Sequence, residues 1–194
     1  MLEQGDRIRL LELARASVAG GLGRQMPDHP PDAASGSASL REPRATFATL
    51  ELEGELRGCC GTIEARRPLL HDVWYNAWAS AYADPRFPAV SAVELARLTF
   101  TISVLSPLEP VPARSEAELI AALAPGTHGL VLTCGAARAT FLPAVWQTLP
   151  NPREFLGQLR RKAGLPASIP WSAISARRYR TETFSSDGGT ALAA

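Results

Sequence analysis

Three observations predict an α+β fold of mostly antiparallel sheet with helices packed alongside. Alternating apolar runs are separated by turn residues rather than by helices, as at 46–53 and 56–63 around Gly54-Glu55. Amphipathic helical stretches occur, but without the βαβα alternation of a doubly wound parallel sheet. The 194 residues, 46% apolar and 20% charged, are enough for one full domain or two small lobes around a core.

Residues 6–18 place Ile8, Leu11, Ala14, Arg15 and Val18 at helical spacing, and Gly20, Gly21 and Gly23 end that helix. Residues 27–44, rich in Pro, Ser, Ala and Asp, predict an extended surface connection. Next comes the 46–63 hairpin, followed by a helix over 68–83 that Pro68 opens. On it Leu70, Val73, Trp74, Ala77, Trp78 and Ala81 form a broad apolar stripe, and Asp84-Pro85-Arg86-Phe87-Pro88 stops it.

A short helix over 91–97 leads into a strand over 98–105, where Phe100, Ile102 and Val104 alternate with Thr and Ser. Ser115-Glu116-Ala117-Glu118 has the form of a capping box. A second hairpin joins 129–133 to 137–142 around Gly135. Asn151-Pro152-Arg153-Glu154 starts a helix that Gly164 stops, 176–184 is a final strand, and 185–194 a flexible tail.

The net charge of +1 offers no general attraction to nucleic acid or membrane. No apolar run approaches the ~18 residues of a membrane span. The opening residues mix acids and bases where a signal peptide would be apolar. Three cysteines, Cys59, Cys60 and Cys134, do not make a disulfide framework. Together these features predict a cytoplasmic protein.

The densest chemistry lies in Leu56-Arg57-Gly58-Cys59-Cys60-Gly61-Thr62. In a regular strand Leu56, Gly58, Cys60 and Thr62 share one face, and Arg57, Cys59 and Gly61 the other. With Leu56 facing the core, Cys60 is buried beside it. Cys59 then stands next to the Arg57 guanidinium, a neighbour that lowers a thiol's pKa. A bulge would change this assignment. Cys59 is thus either a packed small side chain or a nucleophile, redox thiol or ligand. Neighbouring cysteines on a strand point apart, so no routine structural zinc site is expected, and the spacing names no cofactor.

The residues LRGCCGTIEARRPLLHDVWYNAWASAYADPRFPAVSAVELARLTFTISVLSPLEP resemble the signature core of the AMMECR domain family, whose prokaryotic members are called AmmeMemoRadiSam system protein A. The family hallmark reads LRGCIG. This chain keeps Leu56, Arg57, Gly58, Cys59 and Gly61 and has Cys60 where isoleucine is usual, which makes Cys59 the hallmark cysteine. The similarity continues through His128-Gly129-Leu130, Phe141-Leu142-Pro143-Ala144-Val145-Trp146 and Lys162-Ala163-Gly164-Leu165, and covers most of 44–184. It implies two unequal lobes forming a cleft, with the hallmark strand near it. It also implies a genomic association with a Memo-type protein and a radical S-adenosylmethionine enzyme, and it carries no reaction.

Two leading readings remain. In the first, the protein is an enzyme or enzyme component acting on a small polar or anionic molecule. Cys59, Arg57 and His128 are then the catalytic candidates, and Gly58, Gly61, Thr62, Asn76, Asp84 and Arg86 the binding candidates. In the second it is a non-catalytic adaptor for the two associated proteins. RNA binding is a third, set against the +1 charge.

Overall fold

The computed structural model describes residues 1–23, 25–26 and 36–186. The chain forms two compact units. Among the described residues, one is built from those up to Leu105 together with the last strand from Glu182 onward, and the other from Ser106–Thr181. Each has its own antiparallel sheet and apolar core, so the α+β expectation holds.

In the first unit, helix α1 (Gln4–Gly20) is followed by a single turn α2 (Ala38–Arg41), strands β1 (Thr46–Leu52) and β2 (Glu55–Gly61), helix α3 (Leu69–Tyr82), a turn α4 (Ala92–Leu95) and strand β3 (Leu98–Leu105). α1 buries Leu10, Leu13, Ala14, Ser17 and Val18. Ile8 is 48% exposed, a correction to the expected face. Two helical stripes overlap at Ala14 and Val18. The buried one includes Ser17, whose hydroxyl donates to the Trp74 carbonyl at 2.7 Å. The expected 27–44 connection lies outside the described residues over 27–35; its far end forms α2, capped by Ser37.

α3 packs its apolar side against α1 and the β1–β2 hairpin, burying Leu69, Leu70, Val73, Trp74, Ala77 and Ala81. The hairpin turn is Glu53-Gly54, one residue earlier than expected, and both residues have positive φ (55° and 85°). That conformation matches the twist of a two-residue hairpin and suits Gly at its second position.

The second unit contains β4 (Glu109–Val111), α5 (Glu116–Ala121), β5 (Gly129–Cys134), β6 (Ala137–Phe141), α6 (Pro152–Lys162) and β7 (Ser175–Tyr179), with sheet order β4-β7-β5-β6. Its core gathers Leu119, Leu130, Leu132, Trp146, Phe155, Leu156 and Leu159, with Trp146 stacked on Phe155 at 3.8 Å between centroids. Asn151 caps α6 by accepting from the Arg153 and Glu154 N–H groups. The capping box at α5 is only half made: Ser115 accepts from Glu118 N, while Glu118 reaches back to the N–H of Arg114 instead.

The final strand expected over 176–184 is two strands. β7 belongs to the second unit, and β8 (Thr181–Ser185) completes the first unit's sheet in the order β2-β1-β3-β8. Of the expected 185–194 tail, Ser185 lies in β8 and residues 187–194 lie outside the described residues.

Candidate functional site

The hallmark strand β2 lies at an edge of the first unit's sheet, beside β1. Pairing runs Phe47 with Gly61, Ala48 with Cys60, Thr49 with Cys59 and Leu50 with Gly58, then jumps to Glu51 with Leu56. Arg57 is therefore the extra residue of a β-bulge. The bulge overturns the face assignment predicted from strict alternation. Leu56 moves to the face of Glu51 and is 42% exposed, while Arg57 is buried.

The Arg57 guanidinium does not stand beside the Cys59 thiol as expected. Its Nε bonds Glu94 Oε1 at 2.7 Å, and its terminal nitrogens donate to the Pro88 carbonyl at 2.8 Å, the Ala89 carbonyl at 3.3 Å and Glu94 Oε2 at 3.3 Å. It thereby ties the chain after α3 to the strand. Glu94 is also the reciprocal partner in the Ser91 capping box, and these donors pull its carboxyl down to about 2.

One polar ladder on α3 fixes the strand. Asp72, Asn76 and Ser80 of the helix, and Asp84 just past its C-terminus, follow at intervals of four and bond the hairpin. Asp72 is fully buried. Its Oδ2 accepts from Thr46 N (2.9 Å), Thr46 Oγ1 (2.7 Å), Thr62 Oγ1 (2.7 Å) and Asn76 Nδ2 (2.8 Å), and its Oδ1 from Arg67 Nε (3.0 Å). Ser80 Oγ accepts from Cys60 N at 2.8 Å, and Asp84 Oδ2 accepts from Cys59 N at 2.9 Å. One side chain of α3 and one from the turn just after it thus hold the main chain of both cysteines.

Asn76, Asp84 and Thr62 are placed inside this scaffold. Gly58 is there for contact: a Cβ on it would stand 2.0 Å from the Ser80 carbonyl oxygen, so α3 and β2 touch backbone to backbone. Gly61 lies against the Phe47 ring, which a Cβ would meet at 2.4 Å.

Ala48 and Leu50 face the core, so their partners Cys60 and Gly58 do too, whereas Thr49 and Cys59 lie on the opposite face. Cys60 is half-buried, and burial, then Asp84, then Cys59 push its thiol up, which makes it a poor nucleophile. Cys59 is half-buried as well, with the Thr49 hydroxyl donating to its sulfur at 3.4 Å.

The cation near Cys59 is Arg86. Its Nη2 donates to the Cys59 carbonyl at 3.3 Å and to Asp84 Oδ2 at 2.6 Å, and its Nε to Asp84 Oδ1 at 2.9 Å. Asp84 is held well below the usual carboxylate range by this guanidinium, and the Arg86 side chain remains 54% exposed.

Across the sheet the row of Cys59 continues through Thr49 and Thr101 to Ser185, with Thr101 Oγ1 donating to Ser185 Oγ at 3.2 Å. The next row pairs Ser103 with Thr183 at 3.0 Å. This face therefore presents hydroxyls and one thiol beside the Phe47 ring, groups that can hydrogen-bond a polar ligand.

His128 belongs to the second unit. Its Nδ1 accepts from Ala124 N at 3.0 Å and its carbonyl from Trp146 Nε1 at 2.8 Å. Burial first, then Arg178 and Arg180, lower its pKa, so the ring is neutral at pH 7. Among the described residues no three His, Cys, Asp or Glu side chains are grouped to hold a metal ion. None of the helices among them is long and apolar enough to cross a membrane.

Sequence reasoning passed over Asp72, Ser80, Glu94 and Thr49. The first two carried a signal, a polar residue every fourth position along an otherwise apolar helix.

Comparison with known proteins places this geometry in a wider set. The sequence profile of the AMMECR1 family matches residues 11–184. A protein from Methanothermobacter thermautotrophicus is 33% identical over 96% of this chain and 97% of its own length. One from Thermofilum pendens is 37% identical over 80% of this chain and 78% of its own. The crystal structure of protein PH0010 from Pyrococcus horikoshii superimposes with a TM-score of 0.82 at 29% identity, covering 91% of this chain and 89% of that one.

Proposed function

The chain belongs to the AMMECR1 family, and from that premise we propose that it is an enzyme or enzyme component acting on a small polar or anionic molecule through Cys59. The supporting observation is the thiol's setting. It is half-buried on a hydroxyl-bearing sheet face, accepts a hydrogen bond from Thr49, and sits on a main chain clamped by Asp84 and Arg86. The guanidinium of Arg86 spends its Nε and Nη2 edge on Asp84 but is half-exposed, so its Nη1 is the group left to meet an anion. The residue facing the ligand as a cation is then Arg86, and Arg57 acts as a positioning residue.

The test is iodoacetamide alkylation of Cys59 against pH in a Cys60→Ser, Cys134→Ser background. An activated thiol gives a midpoint below the ~8.5 of a free cysteine, and Arg86→Gln raises it. A midpoint at or above the free value in the parent removes the nucleophile.

A second reading, that the protein is an adaptor for a Memo-type protein or a radical S-adenosylmethionine enzyme, draws support from another observation. Arg57, Asp72, Asn76 and Asp84 direct their polar groups at their own fold, as befits a rigid docking edge. Copurification from the native host decides this reading, and recovery of the protein alone after crosslinking counts against it.

A further inference from the structure

The net charge of +1 conceals an uneven distribution. Residues 106–181 carry nine Arg and Lys against four Asp and Glu, a net of +5, and the rest of the chain carries eleven against fifteen. Such asymmetry is a physical argument about partners that a whole-chain total hides.

Within this unit three of the nine basic side chains line one concavity. A groove of about 350 Å³ is lined by Arg153, Gly157, Arg160 and Arg161 of α6, by Glu116, and by Leu165, Ala167 and Trp171 of the following segment. Arg160 forms a fixed wall. Its guanidinium donates to the carbonyls of Leu165, Pro166 and Ile169 and lies over the Trp171 ring at 5.0 Å. Arg153 and Arg161 stand two turns apart on the same helix face, roughly 12 Å along the axis, with Gly157 midway. Side chains leaning together across that gap can close on one phosphate.

Gly157 is the second observation. A glycine inside a helix costs about 1 kcal/mol relative to alanine. A Cβ here would meet nothing within 4 Å, so the fold itself does not require its absence. What the missing side chain provides is an open floor between two guanidiniums.

We propose that this groove binds a nucleotide, with the phosphate over Gly157 between Arg153 and Arg161 and the base on the planar guanidinium of Arg160, which lies over Trp171. Three carbonyls and the Trp171 ring beneath it hold that guanidinium flat, so its outer face is set for an aromatic ring. The Glu116 carboxylate on the groove wall repels a bare anion and accepts from an exocyclic amino group. The phosphate can come from a free nucleotide or from single-stranded RNA.

The experiment is titration of the full chain with ADP, with inorganic phosphate, with poly-glutamate and with a fluorescein-labelled single-stranded adenosine 12-mer. ADP or the RNA is expected to bind with a Kd below roughly 1 mM. Tighter binding of RNA whose log affinity falls with log salt assigns the site to a phosphodiester, and equal or tighter binding of ADP to a free nucleotide.

Arg153→Gln combined with Arg161→Gln is expected to weaken either ligand about tenfold or more. In the RNA case it also makes the salt slope shallower by roughly 1.4. Gly157→Leu is expected to weaken binding similarly while Tm holds or rises, which separates loss of the site from loss of the fold. No binding of ADP or RNA at 1 mM overturns the proposal. So does inorganic phosphate or poly-glutamate binding as tightly as the nucleotide, or Gly157→Leu binding like the parent.

Discussion

Replacing Asp84 by asparagine tests whether one carboxylate organises the hallmark strand. The Asp84 side chain is 3% exposed and accepts four hydrogen bonds, from Cys59 N, Arg86 N, Arg86 Nε and Arg86 Nη2. Asparagine keeps one oxygen and turns an N–H₂ toward donors that need an acceptor. Bonds to a charged acceptor contribute ~1.5–3 kcal/mol, against ~1 for neutral ones, and an N–H left facing an amide nitrogen costs a further 1–3 or so. Against this, Arg86 is half-exposed and regains water when its partner is lost.

The expected net loss is about 2–3 kcal/mol. With a urea m-value of ~2–3 kcal/mol/M, this lowers the midpoint by about 1 M. Hydrogen exchange on peptides from β2 and α3 assigns the loss to the first unit. The sign with pH follows from the depressed carboxyl. Its stabilisation is fully present above the unfolded value of ~3.9 and drains away as pH falls toward the folded one. The gap between parent and variant is therefore constant from pH 7 to 5 and narrows toward pH 3. A loss under ~0.5 kcal/mol at pH 7, or a gap unchanged at pH 3, would refute the reasoning.

Three other outcomes follow from the same geometry. Gly58→Ala drives a methyl into the Ser80 carbonyl and should cost about 3 kcal/mol, seen as a Tm lowered by roughly 6–12 °C; an unchanged melt contradicts the contact. Glu94→Gln should cost about 1–2 kcal/mol at pH 7. That difference should shrink as pH falls from the ordinary ~4.3 toward about 2, because the Arg57 bond holds the carboxyl low; denaturant melts at pH 7 and 3 that show the same gap count against it. With Cys59 and Cys134 replaced by serine, Cys60 should alkylate slowly until the pH exceeds that of a free thiol, and fast modification at pH 7 would show that its burial has been misread.

Local chemistry made much of this fold legible. Pro68 immediately before α3 (one position ahead of its expected place as the first helical residue), Asn151 capping α6, Gly164 ending it at φ 68° and the alternation over Leu98–Leu105 are decided by near neighbours in sequence. The site was legible in part. The hallmark strand and the opposite faces of its two cysteines could be inferred, since alternate residues point apart, but Cys60, expected to be buried, is half-buried like Cys59.

The bulge could not be read. It depends on Arg57 finding Glu94 and two carbonyls some thirty residues away, which outweighs strict alternation. Nor could the division of 176–184 into two strands, because the same alternating pattern serves either sheet and only tertiary pairing assigns it.

That division has a topological consequence. β3 and β8 are antiparallel neighbours, pairing Ser103 toward Thr183 and Thr101 toward Ser185, so Ser106–Thr181 is in effect an enlarged hairpin loop. Its stem is pinned where Ser106 N donates to the Arg180 carbonyl and Arg180 N to Ser106 Oγ. β8 is also anchored on its own side: the Glu182 carboxylate takes the Leu2 N–H at 2.9 Å and the Arg7 guanidinium at 2.8 Å. Closing a long loop grows costlier only logarithmically, by about 0.6 kcal/mol per doubling. Melting or nicking the inserted unit therefore need not peel β8 away, and a short bridge from Leu105 to Glu182 is a feasible way to produce the thiol-bearing unit by itself.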